Sequence, residues 1–143
     1  MRSACVGLLV AGFLAVASSH AAKADDDSLY RALGEKDGIA KIVSISVDKW
    51  LVDERIKDDV DNINLDRFRS RLTDQFCEIT GGPCHYPGRD MYAAHKGLHL
   101  NTAKFNALTE DLYDAMDEVG VPFDVQNRLV ALLAAMQRDV VTQ

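Results

Sequence analysis

The chain has 143 residues, enough for one domain with a real core, and 48% of them are apolar, which excludes a disordered protein. It carries 16 basic against 22 acidic residues, a formal net charge of −6, so its surface repels nucleic acid and anionic lipid.

Residues 1–24 read differently from the remainder. Arg2 gives a positive start, residues 4–17 form an apolar run, and Ala22-Lys23-Ala24 has the small-x-small pattern of a signal peptidase site. The expectation is a signal peptide over 1–24, cut after Ala24 with Ala21 as second choice, followed by a single domain over 25–143. A membrane anchor is the competing reading, but the run is shorter than the roughly 20 residues that span a bilayer. No cysteine stands just after it, which argues against a lipid anchor. Cleavage removes Arg2 and Lys23 and no acid, leaving 14 basic against 22 acidic residues, a net of −8. Cys5 leaves as well. Cys77 and Cys84 remain, an even count that permits a disulfide in an oxidising compartment. Cys77 is expected on the last turn of a helix and Cys84 in the loop after it; a pair of inert thiols is the alternative, and both stay open.

Ser28 can cap a short helix through Leu33 that stops at Gly34. A second helix is expected to begin after Asp37 or Gly38, with Ile39, Ile42, Val43, Val47, Trp50 and Leu51 on one broad apolar face. Residues 53–60 read as a short turn of helix. Asn64 caps a third long helix over 65–80, with Phe68, Leu72, Gln75 or Phe76, and Ile79 inward and Arg67, Arg69, Arg71 and Asp74 on the other side. Thr102 is expected to cap the next long segment, where Phe105, Leu108, Leu112 and Met116 form a stripe ending at Gly120. Asp124 opens the last helix, with Val125, Leu129, Leu132, Leu133, Met136 and Val140 inward. No strand pattern, repeat or low-complexity tract interrupts this all-α reading.

Between the third helix and the Thr102 segment lies the most distinctive stretch, residues 80–95. Gly81, Gly82, Pro83, Pro87 and Gly88 set turns and cannot continue a helix. From Asp90 the breakers are gone, so a short helix capped by Asp90 carries Met91 and His95. Seven positions across these residues, Gly81, Gly82, Pro83, Tyr86, Gly88, Met91 and His95, resemble without a gap the loop and ligand helix of the group I truncated haemoglobins. The resemblance covers residues 29–141. It implies a two-over-two truncated globin fold holding haem b, with His95 as the iron ligand. It also places Val47, Phe68, Leu72 and Met91 about the cofactor; Arg71, one residue before Leu72 and pointing away from the pocket, can reach a haem propionate in a charge-assisted pair, with a solvated surface base as the commoner alternative.

Taken alone, a histidine on a half-buried helix is more often structural than a ligand; the motif around His95 reverses that weighting. His99, four residues on, is expected on the surface, since Gly97 intervenes and no glutamate follows His95 as in two-histidine zinc helices. Cys77, Cys84 and His85 match no common zinc spacing. Tyr86 and Tyr92 read as ring packing and Trp50 as core. The family usually carries a tyrosine where Val47 stands, a polar residue at Phe68 or Leu72, and a phenylalanine at Val60.

An apolar distal wall follows from those departures. The leading reading is an exported haem protein, periplasmic or secreted, that binds a diatomic gas: dioxygen, nitric oxide or carbon monoxide. A nitric oxide dioxygenase or peroxidase-like enzyme fits less well, since such chemistry wants polar groups near the reacting oxygen. A haem-free globin module is the third reading. The expected partners are the gas and an electron-donating reductase, with no nucleic acid and no membrane after cleavage.

Overall fold

Apolar residues three and four apart along 39–50 form one stripe when wound into a helix, and burying that stripe organises the molecule. The computed structural model describes residues 26–142 and contains no strand among them. Its helices are α1 (Ser28–Ala32), α2 (Glu35–Trp50), α3 (Lys57–Val60), α4 (Leu65–Ile79), α5 (Met91–His95), α6 (Thr102–Glu118), α7 (Phe123–Ala135) and α8 (Gln137–Val140). The expected signal peptide lies outside the described residues. No helix among the described residues is long and apolar enough to cross a membrane.

α2 is the central element. It packs on α4 along one side and on α6 along the other, α6 continues to α7, and α1 bridges α2 and α7. Ile39, Ile42, Val43, Val47 and Trp50 of α2 meet Phe76 of α4, Leu112 and Met116 of α6 and Leu129 of α7 in one buried core. The buried hydroxyls need no outside partner: Ser46, Thr73 and Thr80 donate to the carbonyls of Ile42, Arg69 and Phe76 four residues back. Gln126, at the start of α7, donates to Asp117 Oδ1 at 2.6 Å and to the Val121 carbonyl at 2.9 Å, closing the α6–α7 turn.

Several boundaries differ from the sequence reading. α2 starts at Glu35, a few residues early, because Gly34 takes a left-handed φ of 81° and turns the chain directly into the helix. Gly38 is thus inside α2, where a Cβ would come within 2.2 Å of the Leu33 carbonyl oxygen; the glycine lets the two helices meet. α4 ends at Ile79, with Thr80 as its C-cap. The cap of α6 is Asn101, whose side chain accepts from the Lys104 amide, so Thr102 is already the first helical residue. α7 opens at Phe123, one residue before Asp124, after Pro122. Leu132, expected inward, is 37% exposed. Arg69 is no surface ornament: its guanidinium donates to the Ser44 carbonyl and hydroxyl and pairs with Asp48, tying α4 to α2.

Among the described residues one buried side-chain polar atom lacks a partner. Asp111 Oδ2 on α6 is buried with no hydrogen-bond partner. Burial, then the Asp53 charge, holds its carboxyl above the ordinary aspartate range, while Arg55 draws Asp53 below it.

Candidate functional site

The approach to the site is a short elbow after α4. Cys77, fully buried on the last turn of α4, is bonded to Cys84 in a disulfide with 5.7 Å between the Cα atoms. Between them Gly81 holds φ at 89°, and a Cβ there would lie 2.4 Å from the Asp26 carbonyl oxygen; no side chain fits. The chain is thereby folded back over α1, and Tyr30 donates its amide to the Thr80 carbonyl at 3.1 Å.

The elbow delivers α5. Asp90 caps it by accepting the Ala93 amide at 2.8 Å, as the sequence implied. His95, on its last turn, lies with Nδ1 2.7 Å from the Met91 carbonyl oxygen. A carbonyl only accepts, so Nδ1 carries a proton and Nε2 is the nitrogen whose lone pair a metal can take. The far end is tied down too: Thr142 Oγ1 donates to the His95 carbonyl at 3.3 Å.

His95 faces a cavity of about 870 Å³, within the roughly 300–1,000 Å³ of small-molecule and cofactor sites. One wall is α4, with Phe68, Arg71, Leu72, Gln75 and Phe76; the opposite wall is the loop and α5, with Tyr86, Met91, Ala94 and His95. Trp50, Val60, Phe105, Leu108, Leu112, Leu133, Met136 and Val140 complete its apolar lining. At the rim stand Arg67, Arg71 and Arg89, and among the described residues none of the three has a carboxylate partner. Asp59 is also in the lining, held at 2.8 Å by Lys104 of α6.

Phe68, Arg71, Leu72, Met91 and His95 are therefore gathered around one space. Val47 is not in that lining: it is fully buried in the core, and the bulkier Trp50 and Phe68 rings, 6.2 Å apart, form the wall at the α2–α4 junction. Trp50 is core, 5% exposed, and lines the cavity as well, with its indole N–H given to the Leu108 carbonyl at 3.2 Å. Gln75, Arg67 and Arg89 join the lining without a sequence motif that marks them as site residues. The signal for Gln75 was its place on the Phe68–Leu72 face of α4; for the arginines no local pattern marks which side of the cavity rim they reach.

His99 is not on α5 at all. It sits in the link to α6 with φ of 52°, after Gly97, so no two-histidine helical site exists. Among the described residues no group of three or more His, Cys, Asp or Glu side chains could hold a metal ion by itself. His95 is the one imidazole in the cavity lining, so an iron ligated by it fits a cofactor that brings the remaining ligands itself. A flat apolar ring with acidic edges matches the apolar walls, the single imidazole and the unpaired guanidinium groups.

Comparisons with known proteins agree. The family model for bacterial-like globins matches residues 28–142. A group 1 truncated hemoglobin from Tetrahymena pyriformis is 32% identical over 113 residues, 79% of this chain and 93% of the relative. The crystal structure of truncated hemoglobin from that organism in its Fe(III) form superposes with a TM-score of 0.78 at 31% identity, covering 80% of this chain and 98% of that one. The 2/2 hemoglobin of Synechococcus, solved in the cyanomet state with covalently attached heme, gives 0.74 at 28% identity, covering 79% and 97%. The expected all-α two-over-two fold is the fold observed, and the chain belongs to the bacterial-like globin family as a truncated haemoglobin, with haem as its cofactor.

Proposed function

We propose that this protein is an exported truncated haemoglobin that binds a diatomic gas at an iron held by His95, across from an apolar wall. Haem supplies the iron that takes the gas. The chain's own residues supply the rest. The observation that carries the reading is the 2.7 Å bond from His95 Nδ1 to the Met91 carbonyl, which fixes the tautomer and leaves Nε2 as the donor in the cavity wall. Arg71, with Arg67 and Arg89 beside it, fits the carboxylate edges of the ring.

Phe68 and Leu72 face the same space and offer no hydrogen-bond donor. A polar gas such as dioxygen then gains nothing from that part of the wall, and release is fast; carbon monoxide and nitric oxide suffer less. This weighs against a dioxygenase or peroxidase role. Export is supported by the signal-like residues 1–24 and by the Cys77–Cys84 bond, which suits an oxidising compartment such as the periplasm. An electron-donating reductase is the partner that keeps the iron ferrous.

The test is direct. The domain over 25–143, titrated with haemin, develops a Soret band that is lost in His95→Ala. The ferrous form is five-coordinate or carries water. A Soret band unchanged in His95→Ala, or a spectrum of two nitrogen ligands in the parent protein, overturns the assignment.

A further inference from the structure

Gln75 is an amide set beside the apolar Phe68, Leu72 and Phe76 on the α4 wall. It retains 7% of its surface, lines the cavity from α4, and donates from Nε2 to Met91 Sδ at 3.0 Å. A thioether accepts only weakly, and a buried amide given so poor a partner is costly where a leucine would pack without penalty. The bond has a second half. The main chain of the same Met91 accepts the Nδ1 proton of His95. Gln75 on α4 and His95 on α5 are therefore joined through a single residue, its side chain held from one wall and its carbonyl holding the imidazole.

α5 has only five residues, too few to keep its place by its own hydrogen bonds. Its position depends on ties to its surroundings. The Asp90 cap acts only within its first turn; Thr142 holds the end from outside, and the Gln75–Met91 bond reaches to α4. From this geometry we infer that Gln75 is a positioning residue for the iron ligand: by anchoring Met91 it sets the tilt of the His95 ring and the strength of its bond to iron. The inference rests on the proposed role of His95.

Resonance Raman of the ferrous haem-loaded protein reads that bond through the iron–histidine stretch. Gln75→Leu and Met91→Leu each move the band in the same direction, and the double variant moves it no further than either single one, because both remove the same link. Haem loss to a scavenger protein quickens about twofold to tenfold in each, the range that one ordinary hydrogen bond confers. Met91→Leu conserves volume and probes the same contact even where Gln75→Leu does not fold. A band unmoved in the single variants, or shifts that add in the double, overturns the inference. So does a moved iron–carbon monoxide band beside an unmoved iron–histidine band, which would make Gln75 a contact of the gas. Failure of the His95 assignment is distinct: the band would be missing from the parent protein or persist in His95→Gly.

Discussion

At the scale of single residues, the site differs from a generic apolar cavity by what each side chain offers to hydrogen bonding. Leu72 faces the space with no donor, and supplying one has a calculable effect. Leu72→Gln slows dioxygen release about tenfold, since a hydrogen bond to a partly charged acceptor is worth roughly 1.5–3 kcal/mol; stopped-flow kinetics on the ferrous protein checks it, with carbon monoxide release changed far less. Asp111 offers the opposite case, an acceptor without a donor. Its carboxyl is held above the usual aspartate range by burial and by Asp53, so the native state keeps a proton that the unfolded chain has released, and stability falls as pH rises through that window. Asp111→Asn removes the charge and supplies an N–H toward Asp53. Thermal unfolding at pH 7 then shows a gain of about 1 kcal/mol, the low end for relieving an unpaired buried group, and the gain shrinks below the ordinary aspartate pKa.

At the scale of elements, what was legible in the sequence was what backbone chemistry dictates locally. Gly81, Gly82 and Pro83 can only turn, Asp90 can only cap, and so the elbow and the short helix bearing His95 followed from residue types alone. Asn64 announced α4 for the same reason. Where two residues competed for one task the outcome lay in three dimensions. Asn101 took the cap from Thr102, and Gly38 stayed inside α2 because Leu33 needed the room. Arg69 looked like any solvated base until α2 was laid beside it, and Gln75 like an ordinary inward position until Met91 was brought opposite. Val47, set near the cofactor by a gapless register, is buried in the core beside a cavity wall made by Trp50 and Phe68, a layering that periodicity along α2 does not express. The disulfide was chemically permitted and geometrically undecided from sequence. Closing a loop of about eight residues, it contributes roughly 2.5 kcal/mol on the chain-entropy argument. Cys84→Ser, which leaves the buried Cys77 in place, lowers denaturant stability by about that amount, and α5 loosens with the elbow.

At the scale of the whole molecule, the fold keeps a hollow of about 870 Å³ between α4 and α5, a volume that packing alone would not leave empty. A cofactor seated there binds the folded chain and not the unfolded one, so it stabilises by mass action: about 4 kcal/mol when free haem exceeds its dissociation constant a thousandfold. Scanning calorimetry of apoprotein against haem-loaded protein measures this, and an unchanged midpoint would contradict a cofactor bound in the core. The same global view carries a practical corollary of the Cys77–Cys84 bond. With both described cysteines joined to each other, a chain beginning at Asp25 has no sulfhydryl left. Maleimide dyes should leave it unlabelled until it is treated with reductant, and it cannot oxidise into covalent dimers on storage, so any higher-mass species on a non-reducing gel reports an uncut leader carrying Cys5.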